Sequence, residues 1–122
     1  MTGWRRDFHR HPEPVFAEER TSARIASLLE SFGIEVHRNI GKTGIVGILQ
    51  RGNGPGSIAF RADMDALPVT ETGTPEWVSV HDGAMHACGH DGHTAMLLGA
   101  ACHLAAKGDF TGRIVFIFQP TE

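Results

Sequence analysis

Five consecutive apolar residues, Ile114, Val115, Phe116, Ile117 and Phe118, stand between Gly112 and Pro120. A strand with one wet face alternates apolar and polar side chains, and this run does not. It therefore predicts an inner strand covered on both faces. Just upstream, residues 94–107 carry Ala95, Met96, Leu97, Leu98, Ala100, Ala101, Leu104 and Ala105. A helix that is apolar almost all round is a buried helix, and Gly108 ends it. Strands interleaved with helices give an α/β layered domain.

The rest of the chain agrees with that class. Residues 4–11 mix aromatic and basic side chains and stop at Pro12, which predicts a short helix followed by an extended link. From about Glu18 onward, Ile25, Leu28, Leu29 and Phe32 fall on one helical stripe. Gly33 follows where helices end in a left-handed residue. Residues 34–37, 45–49 and 57–61 read as strands, with a Gly-Asn-Gly-Pro-Gly turn at 52–56. Residues 63–87 read as a looser stretch. Gly41-Lys42-Thr43 imitates the end of a phosphate-binding loop. However, Val36 stands where the first glycine of that motif belongs, and a strand follows instead of a helix, so these residues predict a turn.

Bulk properties remove several function classes. The 41% hydrophobic and 20% charged composition is that of an ordinary globular domain, and the net charge of −3 points to neither nucleic acid nor membrane. No apolar run approaches the ~20 residues needed to span a bilayer. The basic first ten residues have no apolar stretch behind them, so no secretory signal is expected. Cys88 and Cys102 are expected to be free thiols, and the chain to be cytoplasmic. Cys102, on the apolar helix, is expected to be a small core residue.

The eight histidines are the unusual count, and four of them, His81, His86, His90 and His93, fall close together. Within Met85-His86-Ala87-Cys88-Gly89-His90-Asp91-Gly92-His93-Thr94, thiolate and imidazole are good ligands for zinc and related metals. If the segment is extended, Cys88 and His90 point to the same side. Asp91 is placed to cap the helix that follows or to orient a ligating imidazole. A second motif, Arg61-Ala62-Asp63-Met64-Asp65-Ala66-Leu67-Pro68, stands at the end of a strand, where open α/β sheets build their sites. Asp63 and Asp65 share a face there, and two like charges so close need a cation or hydrogen-bond donors. A third motif, Phe118-Gln119-Pro120-Thr121-Glu122, puts a carboxylate just beyond the buried strand. Such a carboxylate is either a general base or a frayed terminus.

Together these segments, with Trp4-Arg5-Arg6-Asp7-Phe8-His9-Arg10-His11-Pro12-Glu13, resemble a known family in order and spacing. It comprises the hippurate hydrolases, N-acyl-amino-acid amidohydrolases and auxin-conjugate hydrolases, a branch of the dinuclear-metal peptidases. The resemblance implies a layered α/β/α zinc-exopeptidase-like catalytic domain. Residues 1–122 would be its N-terminal portion, without the lid domain or the C-terminal catalytic portion. It implies two divalent metal ions (zinc, manganese, cobalt or nickel), with Cys88 bridging them and His90 binding one. Glu122 would be the general base. Asp63 and Asp65, with Asp91, would support the site without binding metal themselves. The substrate would be a small N-acyl amino acid, cut to a carboxylic acid and an amino acid.

Two other readings stand beside this one. One is a non-catalytic metal-binding module, in which Cys88, His90 and one or two of His81, His86 and His93 close a structural zinc site. The other is an inactive truncated remnant. On the resemblance, the chain alone carries too few ligands to be a competent hydrolase, and its exposed apolar surface would favour self-association.

Overall fold

The computed structural model describes residues 1–121, and Glu122, the expected base, lies outside the described residues. The elements run α1 (Thr2–Arg10), α2 (Glu19–Ser31), β1 (Glu35–Ile40), β2 (Gly44–Arg51), β3 (Ser57–Asp63), α3 (His90–Lys107) and β4 (Gly112–Gln119). Every element expected from the sequence is present. The largest shift is at α3, which begins at His90 and not at Thr94.

The four strands form one sheet in the order β1-β2-β4-β3. β1 with β2 and β2 with β4 are antiparallel, whereas β3 and β4 are parallel and joined through α3. A parallel pair needs such a crossover, and the long apolar helix supplies it. α2 ends as its glycine predicts. Gly33 takes φ 81°, and the Ile34 and Gly33 amides return to the carbonyls of Leu29 and Glu30. That pair of bonds satisfies carbonyls the helix cannot. Lys42 lies at positive φ in the turn between β1 and β2, as expected for a turn.

The core lies between the sheet and the helices. Ile45, Leu49, Ile114, Phe116 and Phe118 from the sheet meet Phe8, Ile25, Leu29, Leu98 and Ala101 from the helices. The packing is tight at Gly47, where a Cβ would come within 3.1 Å of Ile34 and 3.2 Å of Leu29 and those side chains would have to shift.

Two expectations about cover need correction. Among the described residues, Ile114, Phe116 and Phe118 are buried under the helices, while Val115 and Ile117 on the other face are only half-buried. α3 likewise buries Ala95, Leu97, Leu98 and Ala101, but leaves Met96 55% exposed. Composition reports which surfaces are apolar; packing partners decide which of them are covered. Among the described residues, no helix is long and apolar enough to cross a membrane.

Candidate metal centre

β3 and β4 run in register from Ser57 opposite Arg113 to Asp63 opposite Gln119, so both strands deliver their carboxyl ends to one place. There the chain turns, and Met64 N–H donates to the Gln119 carbonyl at 3.0 Å. Leu67 and Met85 then exchange two backbone bonds, of 2.9 and 3.0 Å. This small bridge brings the Asp63–Asp65 motif beside the histidine-rich motif, although residues 68–84 lie between them.

The histidine segment is not extended. Gly89 is the N-cap of α3 at φ 88°, a conformation that favours glycine. The Gly89 carbonyl accepts from Gly92 and His93 N–H. Cys88 therefore lies exposed before the cap, while His90 is the first residue of the helix. The strand-like alternation expected to pair Cys88 with His90 does not apply. Helical spacing instead places His90 and His93 on one face, their rings stacked with centroids 5.5 Å apart.

Asp63, His90 and His93 converge. One ligand atom from each lies within 4.8 Å of the others. His93 Nδ1 donates to Asp63 Oδ1 at 2.6 Å, and His90 Nε2 faces the same oxygen at 3.6 Å. His90 Nδ1 donates to the Asp65 carbonyl and to Asp65 Oδ1, both at 3.0 Å. That bond places a ring hydrogen on Nδ1 and turns Nε2 toward Asp63. Thr94 Oγ1 donates to the Asp63 carbonyl at 3.1 Å, which ties the strand end to the helix. Burial by itself would raise the Asp63 carboxyl. The bond from His93 and the charge of His90 outweigh it and hold the group below the ordinary carboxylate range.

An O,N,N set with two imidazoles and an ionised carboxylate fits a divalent cation of the zinc or cobalt type. His86 is a further sign that this region is built for polar company. It is buried, neither ring nitrogen has a hydrogen-bond partner among the described residues, and burial pushes its pKa down to about 4. A buried imidazole with both nitrogens unpaired is costly in a site of purely structural purpose.

Asp91 makes no side-chain cap of α3. It accepts from Arg5 and His9 of α1 and so supports the site by anchoring the helix. Asp65 holds the His90 ring through its carbonyl and its carboxylate. The sequence offers His93 as a ligand only in the structural-zinc reading, not in the dinuclear one. Its separation of three residues from His90 was the available signal, hidden by starting the helix four residues late.

Residues 59–122 match the model of peptidase family M20/M25/M40. The chain is 48% identical over 118 residues to a hippurate hydrolase of Campylobacter jejuni, covering 97% of this chain and 30% of that protein. It is 48% identical over 125 residues to an N-acyl-L-amino acid amidohydrolase of Geobacillus stearothermophilus, covering 100% of this chain and 33% of that one. The crystal structure of the Bacillus subtilis YXEP protein, described as a dinuclear metal binding peptidase, superposes with a TM-score of 0.91 at 44% identity. That match covers 99% of this chain and 34% of YXEP. The chain thus spans about a third of the length of these relatives, and the resemblance drawn from its motifs is borne out.

Proposed function

The chain belongs to peptidase family M20/M25/M40, and on that premise we propose that it forms the N-terminal portion of the catalytic domain of a metal-dependent amidohydrolase. The bond cleaved is the amide of an N-acyl amino acid of the hippurate kind. The products are a carboxylic acid and a free amino acid.

The observation that carries this reading is the convergence of Asp63, His90 and His93 within 4.8 Å at the end of the parallel strand pair. Cys88 and His90 are the proposed principal ligands; Asp63 and His93, which converge with His90 and not with Cys88 in the three-residue group, are proposed as further donors. Two divalent ions, of the zinc, manganese, cobalt or nickel type, would acidify a water and polarise the substrate carbonyl. The chain's own residues do the rest. Asp65 keeps the His90 ring in one tautomer and orientation. Asp63 supplies the carboxylate charge opposite the two imidazoles. Glu122 is the proposed base, taking the proton of the attacking water and passing it to the departing amine nitrogen. The unpaired cysteines support a reducing, cytoplasmic setting.

The test is a chimera in which this chain replaces the corresponding third of the Campylobacter relative. It should release glycine from hippurate in a metal-dependent way, and His90→Ala or Glu122→Gln in the chimera should abolish release. The 122-residue chain alone should show no turnover above a metal-only blank. A folded, metal-loaded chimera with no hydrolysis of any N-acyl amino acid would overturn the reading.

A further inference from the structure

The N-terminal motif that runs through Asp7, Phe8, His9 and Arg10 has no part in the chemistry just described, yet His9 is buried. Its ring stands between two carboxylates. Nδ1 lies 3.0 Å from Asp91 Oδ2, and Nε2 lies 3.1 and 3.2 Å from the two oxygens of Glu71. Ionised carboxylate oxygens only accept, so in this geometry both ring nitrogens donate. The side chains of His9, Glu71 and Asp91 are only 9%, 6% and 4% exposed, which strengthens such bonds relative to surface pairs.

Each carboxylate leads to one end of the segment that carries the site. Asp91, which also accepts from Arg5 Nη1 at 3.2 Å, belongs to the first turn of α3, between His90 and His93. Glu71 Oε1 accepts from Ser79 N–H at 2.9 Å, and Ser79 Oγ donates to the Ala84 carbonyl at 2.8 Å. Ala84 is the residue before Met85, where the histidine-rich segment begins. The His86 ring, from that same segment, sits with its centroid 6.4 Å from that of His9. One imidazole on α1 thus reaches both the start and the end of residues 84–91. The rest of α1 braces the same loop, with the Arg10 carbonyl accepting from Val80 N–H at 2.9 Å and the Arg6 guanidinium lying 3.9 Å from the centre of the Trp77 ring.

We propose that His9 is a positioning residue for the metal centre. It bridges Glu71 and Asp91 and so fixes where the first turn of α3 presents His90 and His93. The proposal rests on the metal reading above, and it goes beyond it by giving α1 a role. Groups that orient ligands without binding metal typically matter roughly 10- to 100-fold in affinity.

Cobalt(II) is titrated into the parent, His9→Gln, Glu71→Gln and Asp7→Asn, following visible absorption, with the metal-free Tm and backbone amide resonances of each. Asp7→Asn is the structural control, because Asp7 lies on the same helix as His9 but pairs with Arg20 of α2 at 2.8 Å, away from Asp63, His90 and His93. His9→Gln should weaken cobalt binding about tenfold or more. It should also move the amide resonances of residues 89–93, while Asp7→Asn lowers Tm comparably and binds cobalt like the parent. His9→Gln binding like the parent, or both variants losing affinity in step with Tm, overturns the proposal. If His9→Gln does not fold, Glu71→Gln decides, since displaced amides at residues 84–91 support the proposal and unmoved ones overturn it. A parent that binds no cobalt would sink the metal reading separately. In that case the amide shifts at residues 89–93 alone decide whether His9 positions this turn.

Discussion

His93 Nδ1 donates to Asp63 Oδ1 at 2.6 Å across 30 residues of sequence. This bond, with that of Thr94 Oγ1 to the Asp63 carbonyl, closes the end of β3 onto the first turn of α3. The bond also holds a carboxylate ionised where a cation would sit.

Metal affinity should follow the donors named here. Zinc or cobalt titration of Cys88→Ser, His90→Ala and Asp63→Asn should show weakening of about tenfold or more for each. The order informs as well, because Asp63→Asn removes the charge while keeping a neutral acceptor for His93. Parent-like binding by both Cys88→Ser and His90→Ala would show that the ligand assignment is wrong.

The two thiols should react at different rates. Cys88 is exposed ahead of the α3 cap, while Cys102 is half-buried on the helix, less enclosed than its apolar neighbours suggested. Iodoacetamide should label Cys88 first in metal-free protein, and added metal should slow that labelling selectively. Equal rates at both positions in native buffer would count against this.

Stability should fall with acid through Glu71. Burial alone would raise this carboxyl, but the Ser79 N–H and the His9 ring hold it below its ordinary value. A depressed folded-state pKa adds stability that is present above the unfolded value and lost as pH falls through the folded one. Denaturation midpoints of the parent should therefore drop faster between roughly pH 5 and pH 3 than those of Glu71→Gln. Parallel curves would remove Glu71 from the account.

Glu13 is expected to matter for folding alone. Its carboxylate accepts from Arg20 N–H at 3.0 Å, and from Thr21 N–H and Oγ at 2.6 and 2.7 Å, at the start of α2. Glu13→Ala should cost about 1–2 kcal/mol in urea unfolding, the loss of a helix cap. Cobalt affinity should stay at the parent value, and a large drop would mean that α2 also shapes the site.

Self-association should run through β3. It is the edge strand next to β4, and its Ile58 and Phe60 are 54% and 43% exposed. Exposed apolar edges invite pairing with another chain. Sedimentation should show concentration-dependent association that Phe60→Lys reduces, and unchanged association would place the contact elsewhere.

Local chemistry in the sequence determined the elements. The unbroken run at 114–118 fixed β4, the apolar stripe through Ile25 and Leu29 fixed α2, and Gly33 fixed its end, because periodicity and a left-handed glycine act within a few residues. The same local reading identified Cys88, His90, Asp63 and Asp65 as the residues with chemistry to offer. It failed where one residue set the geometry. Gly89 at φ 88° caps α3 early, so His90 pairs with His93 by helical spacing and not with Cys88 by strand alternation. Only the tertiary structure decided that Asp63 meets His93, that Asp91 meets His9 across 82 residues, and which apolar faces are covered. Those contacts have no local signature, since they form when the parallel β3–β4 pair and the packing of α1 on α3 bring distant side chains within bonding range of each other.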